Sequence, residues 1–161
     1  MFAVVSDATP LHYLVLIGRD SVLEKLFKQV VVPPAVLKEL GHAAAPPEIS
    51  AWVKSPPVWL IVQAPAFIPP RFDVLDFGER QALALAKEVR ADFVLPDDKV
   101  ARRFAESESL KVKGTLGIVA DAARAGLLNF GQTIEALQRT TMRLDPRLVE
   151  RIISEYEKVQ A

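Results

Sequence analysis

Phe2-Ala3-Val4-Val5-Ser6-Asp7-Ala8-Thr9-Pro10-Leu11 is the stretch whose reading decides the fold class. Its first four residues are apolar without alternation, the pattern of a central parallel strand covered on both faces. The run stops at Ser6-Asp7. Thr9 then reads as a helix N-cap and Pro10 as the first helical residue, followed by Leu11, Leu14 and Val15 at helical spacing, with Gly18 as the stop.

The same alternation continues along the chain. A helix over 20–27 leads to a strand at 30–32, closed by Pro33-Pro34, and a helix over 35–40 ends at Gly41. Residues 46–70 hold seven of the twelve prolines, which confines regular structure there to short pieces around 49–53 and 59–62. Beyond them, Ala82, Leu83, Leu85, Ala86 and Val89 mark a helix that feeds the strand 93–95. Pro96-Asp97-Asp98 ends that strand, a helix follows over 99–106, and a short strand is expected at 111–113. A further helix runs through Ala125 to Gly126. Strands alternating with helices predict a mainly parallel α/β sheet. From Gln132 to Lys158 two helices are expected, parted near Asp145-Pro146. The second carries an apolar stripe of Leu148, Val149, Ile152, Ile153 and Tyr156, read as packing on the domain's own core, with a partner or homodimer surface as the sharper alternative.

Composition bounds the function. A chain of 161 residues, half of them hydrophobic, suits one compact domain. Twenty basic residues balance twenty acidic ones, so any surface that attracts nucleic acid must be local. The absence of cysteine excludes disulfides, thiolate zinc sites and thiol nucleophiles. The first residues lack the pattern of a signal peptide, and no apolar run reaches the roughly 20 residues that span a bilayer. A cytoplasmic protein with no membrane contact is the expectation.

The chemistry-bearing residues are acidic: Asp7, Glu39, Glu79 and the pair Asp97-Asp98, each where a strand or helix pattern begins or ends. Singly, each has an ordinary structural role open to it, Asp7 and Asp98 as caps, Glu79 at a helix N-terminus and Glu39 as a solvated charge. Together, around the ends of buried parallel strands, they point to one site at the rim of the sheet. Carboxylates gathered there repel one another, so some take up protons or a cation holds them ionised. With oxygen donors, no cysteine and no histidine cluster, Mg²⁺ or Mn²⁺ is favoured over zinc. Phosphodiester hydrolysis follows from that chemistry. His12 and His42 suggest no triad, and Gly114-Thr115-Leu116-Gly117 lacks the ending of a phosphate loop. Trp52 and Trp59 are read as packing rather than as base-stacking residues.

Five segments in order carry a family resemblance: Val-Ser-Asp-Ala-Thr-Pro-Leu at 5–11, Val-Pro-Pro-Ala-Val-Leu-Lys-Glu-Leu at 32–40, Asp-Phe-Gly-Glu-Arg-Gln-Ala-Leu-Ala-Leu-Ala at 76–86, Val-Leu-Pro-Asp-Asp-Lys-Val-Ala-Arg-Arg at 94–103 and Gly-Thr-Leu-Gly at 114–117. From about Val4 to Leu128 the chain resembles the PIN-domain nucleases, in the compact prokaryotic branch related to toxin-antitoxin ribonucleases. The proline-rich stretch and the C-terminal helices lie outside that resemblance. It implies a Rossmann-like α/β/α sandwich over residues 1–128, with 129–161 as a C-terminal helical extension packed on it.

The resemblance also implies an Mg²⁺- or Mn²⁺-dependent ribonuclease. Asp7, Glu39, Glu79 and Asp98 match the catalytic metal carboxylates, with Asp97 as neighbour or substitute. Thr9 would contact the site, and Arg102 and Arg103 are candidates for the phosphate backbone. RNA is the implied substrate, and an antitoxin protein the implied partner by analogy. Ala8, where relatives commonly carry a hydroxyl, and Pro96, where many carry Thr, depart from the pattern. Two other classes compete. Aspartyl phosphotransfer also uses carboxylates around Mg²⁺, although Thr9 stands where the dehalogenase-like signature has its second aspartate. A noncatalytic RNA- or protein-binding module is the other.

Overall fold

The computed structural model describes residues 3–96 and 98–160, the last two of them by backbone only. Strand β1 covers Val4–Ser6, β2 Val30–Val32, β3 Leu60–Val62 and β4 Phe93–Leu95. They form one sheet in the order β3-β2-β1-β4, with every pairing parallel. Beyond β4 lies a single parallel bridge between Val94 and Val112. The strand expected at 111–113 is thus reduced to one bridge: Lys111 and Lys113 flank a single apolar residue, too little to hold a longer edge strand against water.

The central position of β1 explains its sequence. Val4, Val5 and Ser6 are all fully inaccessible, as a strand covered on both faces must be. At the edge, β3 reads differently, with Leu60 buried and Val62 exposed.

Nine helices, among the described residues, cover the sheet. Helices α1 (Ala8–Leu16), α3 (Pro34–Leu40), α4 (Pro47–Lys54) and α5 (Phe77–Glu88) pack together, with α5 against β1 and β4. Helices α2 (Ser21–Phe27), α7 (Thr115–Arg124), α8 (Phe130–Gln138) and α9 (Pro146–Gln160) form a second packed group, with α2 against β2. Helix α6 (Lys99–Ser107) follows β4. Leu11, Leu14, Leu23, Leu83, Leu85, Leu95, Ile118 and Leu137 are inaccessible within one continuous core. Each such side chain contributes about 2 kcal/mol by leaving water.

One expected cap moves. Helix α1 begins at Ala8 with Asp7 as its N-cap, so Thr9 is the second helical residue and Pro10 the third. The first-turn N–H groups of a helix have no intrahelical partners, so a proline is tolerated throughout that turn and does not mark its first residue. Asp7 makes no side-chain hydrogen bond to the helix it precedes.

The proline-rich excursion is ordered by short elements and by side chains that reach back to it. Pro47 opens α4, and Pro70–Val74 forms a 3-10 turn. Glu88 accepts from the N–H groups of Ala66 (2.8 Å) and Phe67 (3.0 Å), and Glu108 accepts from Arg71 (2.7 Å) and Lys87 (2.9 Å). Trp52 donates to Asp20 at 2.9 Å, and its ring lies 6.1 Å from that of the buried Trp59, so both tryptophans pack. At the other end of the chain, α9 starts at Pro146 and packs on α7. Its stripe lies against the core, with Val149 buried and Tyr156 stacked on Phe130 at 4.6 Å.

Candidate functional site

The chain passes outward from β1 through β2 to β3, then returns to the opposite side of β1 for β4. The strand order therefore reverses between β1 and β4, and a parallel sheet binds ligands outside the carboxyl ends at such a point. Asp7 is the first residue past β1. Its backbone N–H donates to the Leu95 carbonyl at the end of β4 (3.4 Å), which holds the two loops together.

Helix α5 brings the other carboxylates in. A methyl group placed on Gly78 would lie 2.7 Å from Oε2 of Glu39, 3.8 Å from Oδ1 of Asp7 and 3.9 Å from Oδ1 of Asp76. Three acidic side chains, from the end of β1, from α3 and from the start of α5, thus crowd around one glycine. Asp7 and Glu39, both expected at one site, each approach the same residue, one with no side chain of its own.

Asp76 was missed by sequence reasoning, which assigned it no role. It is the N-cap of α5, accepting from the Glu79 N–H at 2.9 Å, while Glu79 Oε1 accepts from the Asp76 N–H at 3.3 Å. That reciprocal pair has a sequence signature, an acidic or hydroxyl residue three before a glutamate at the head of an apolar helix, and Asp76-Phe-Gly-Glu79 matches it.

Asp7 and Glu79 are the only charged side chains buried among the described residues. They line one small apolar pocket, with Ala82, Leu83, Val94, Pro96 and Ala101, that has no space for a water. Burial, then hydrogen bonding and repulsion from Asp76, then repulsion from Asp7, push the Glu79 carboxyl up to about 8. Burial and the charge of Asp76 also raise Glu39. Buried carboxylates that repel one another hold protons at neutral pH unless a cation replaces them.

The remaining expected residues fall in different places. Asp98 is exposed and caps α6, its Oδ2 accepting from the Ala101 N–H at 3.0 Å. It stands on the same sheet edge, because Ala101 lines the pocket of Asp7 and Glu79. Asp97 lies outside the described residues. Thr9 is half-buried and lines a shallow groove of about 240 Å³ with His12, Tyr13 and Glu39. Burial lowers the pKa of His12. Arg102 is half-buried in a separate cleft, and Arg103 is exposed. Thr115, at the start of α7, is a second buried polar residue on this side of the sheet that sequence reasoning gave no role.

The donors are all hard oxygens, a set that suits a hard divalent cation, and the acidic neighbours that raise the Glu79 carboxyl would favour positive charge beside it. No three His, Asp or Glu side chains among the described residues are arranged to hold a metal ion as they stand. The physical reason lies in the caps: Glu79 and Asp76 are bonded to each other's backbone, and Asp98 to its own helix.

A family model described as "DUF3368: PIN domain" matches residues 3–158. The match takes in the proline-rich excursion and most of the C-terminal helices, both outside the resemblance visible in the five motifs. No curated protein matches the chain. PIN domains are in general nucleases that use divalent metal ions. With the matched span covering β1, α3, α5 and α6 and hence Asp7, Glu39, Glu79 and Asp98, the chain belongs to the PIN-domain family.

Proposed function

We propose that this protein is an endoribonuclease that hydrolyses RNA phosphodiester bonds with Mg²⁺ or Mn²⁺ held by the acidic edge of the sheet. The observation that carries the reading is the crowding of Asp7, Glu39 and Asp76 around Gly78, beside a Glu79 whose carboxyl is pushed up to about 8.

A divalent cation bound there would supply Lewis acidity toward a phosphate oxygen and would offset the charge that builds on it. The chain's own residues do the rest. The backbone N–H of Asp7 bonds to the end of β4, which places this residue on the edge where β1 and β4 meet. Glu39 reaches the same point from α3 through the opening at Gly78. Glu79, once deprotonated, would be a further ligand for such a cation, and Asp76 would still cap the helix start through the Glu79 N–H. Asp98, the exposed N-cap of α6, would add a fourth carboxylate if it exchanged its bond to the Ala101 N–H for the cation. The apolar wall of Ala82, Leu83 and Val94 keeps bulk water off the inner side and strengthens each electrostatic contact.

The test is cleavage of single-stranded RNA by the purified protein with Mn²⁺, with chelator, and with Asp7→Asn. Metal-dependent cleavage lost in Asp7→Asn is expected. Cleavage that persists in chelator, or in that variant, sinks the mechanism. By analogy with the toxin branch of the family we extend the proposal to a toxin role under an antitoxin protein. Co-purification of the natively expressed chain with a stoichiometric inhibitor protein is the check on that extension.

One observation favours a second reading. Glu79 and Asp98 both take part in helix caps, and no three His, Asp or Glu side chains among the described residues are arranged to hold a metal ion. A PIN-like module that holds RNA or protein without cutting would keep such caps intact. Tight RNA binding with no turnover in Mn²⁺ would select it.

A further inference from the structure

We propose that the cleft between the start of α7 and helix α9 binds the sugar-phosphate backbone of a single-stranded RNA on its way to the acidic edge. The assignment rests on the nuclease reading above. The cleft has a volume of about 420 Å³. Around it stand Arg102, Lys113, Arg124, Arg143 and Arg151, facing Asp121, Asp145 and Glu155. Five cations against three anions leave a net positive lining in a chain whose formal net charge is zero.

The pairing inside the cleft sharpens that excess. Asp121 is shared by Lys113 and by Arg124 (3.2 Å). Asp145 accepts from the Arg147 N–H (2.9 Å) at the start of α9. Among the described residues, Arg102, Arg143 and Arg151 form no ion pair, although all three line one concave surface. Guanidinium groups without an ion-pair partner on one surface favour anions, and phosphate oxygens match their planar donor fork.

Position ties the cleft to the acidic site. Ala101 lines the pocket of Asp7 and Glu79, and the next residue, Arg102, lines the cleft. The bridge from Val94 to Val112 sets Gly114 and Thr115, at the mouth of the cleft, beside the end of β4. A strand with its scissile phosphate at Asp7 would therefore meet Arg102 first and then Arg143 and Arg151. Leu116, Met142, Leu148 and Ile152 provide an apolar floor for sugar and base faces.

The experiment measures binding of a fluorescent single-stranded RNA oligonucleotide to the full chain carrying Asp7→Asn, across a salt series, with folding checked by thermal melting. Adding R143Q/R151Q is expected to weaken binding tenfold or more and to make the slope of log affinity against log salt shallower by about 1.4, the loss of two phosphate contacts on a single strand. Lys28→Gln with Lys54→Gln, exposed cations that precede strands β2 and β3 and so lie at the opposite end of the sheet, should leave both unchanged. If the double variant fails to fold, R151Q alone, on the exposed side of α9, is expected to shift affinity and slope in the same direction by half as much. RNA affinity and salt slope unchanged by R143Q/R151Q overturn the proposal. So does dependence on these arginines for a polyglutamate peptide but not for RNA, which would assign the cleft to an acidic protein partner. If wild-type protein shows no Mn²⁺-dependent cleavage while the arginine effect on RNA binding stands, the nuclease reading fails and the cleft does not.

Discussion

Two glutamates on opposite sides of α5's neighbourhood have had their proton affinities moved in opposite directions. Glu79, at the head of α5, is buried among Asp76 and Asp7, and its carboxyl rises to about 8. Glu108, just past α6, accepts from Arg71 and Lys87, and those two cations hold its carboxyl down at about 2. Glu108 ties the 3-10 turn and α5 to the end of α6, so its charge is satisfied by the fold itself. The charge of Glu79 meets one backbone N–H, that of Asp76, and, among the described residues, no cation, so burial and its acidic neighbours prevail. A domain that leaves like charges facing one another in its interior stores a preference for a cation, and that contrast separates a structural carboxylate from a site carboxylate more sharply than residue type does.

The contrast can be broken most directly at Asp7. Asp7→Asn removes one carboxylate of the site and should lower Mn²⁺-dependent RNA cleavage by on the order of a hundredfold or more, beyond the loss typical of residues that only orient metal ligands. Activity within a few fold of wild type would remove Asp7 from the chemistry. Gly78→Ala comes next. Its methyl group would meet Glu39 Oε2 at 2.7 Å, and the flexible end of Glu39 would move rather than the backbone. Cleavage should fall roughly tenfold while the melting temperature holds or rises, because alanine favours a helix over glycine by about 1 kcal/mol. A fall in stability with full activity would show that the opening serves packing and not Glu39.

Stability against pH sharpens the comparison further. The folded state keeps a proton on Glu79 up to about 8, whereas the unfolded chain releases it near 4.5. Between those values the native state binds more protons, so stability is present at acid pH and lost as pH rises toward 8. Glu79→Gln should flatten that loss, by on the order of 2 kcal/mol across the window, measured by denaturant melts in chelator. An unchanged slope would place the carboxyl in a less hostile setting than its neighbours imply.

Glu108 runs the other way and more weakly. Its stability is present above about 4.5 and is lost as pH falls toward 2. Glu108→Gln should remove that acid-side slope and cost about 0.5 kcal/mol near neutral pH, in keeping with ion pairs at the surface. A neutral-pH cost of several kcal/mol would mean that the excursion depends on this tie far more than an exposed network allows.

Much of the fold was legible from residue order because it rests on local signals. The unbroken run at Val4–Val5, the stops at Gly18 and Gly41, and Pro146 at the head of α9 correspond to the elements that form. The start of α1 was misplaced because the whole first turn tolerates proline, and the strand at 111–113 was overcalled because two lysines flank its one apolar residue. At the site, Asp7, Glu39 and Glu79 were legible as acids at element ends. Asp76 was not, although its spacing to Glu79 spells a capping box, because a cap is a complete structural role for an aspartate and its neighbours across Gly78, Glu39 and Asp7, are far away in sequence.

By itself, the sequence determined which segments are strands and helices, that only oxygen donors are on offer, and that acidic residues sit where parallel strands end. These are properties of periodicity, capping and side-chain chemistry, which act over a few residues. Tertiary structure alone decided that β1 lies between β2 and β4, that the glycine at 78 leaves room for Glu39 beside Asp7, and that Asp98 faces solvent on its own cap. It also decided that Glu79 and Glu108 hold opposite proton affinities. A carboxylate's charge state follows from what surrounds it in space, and those neighbours come from strands and helices far apart in the chain.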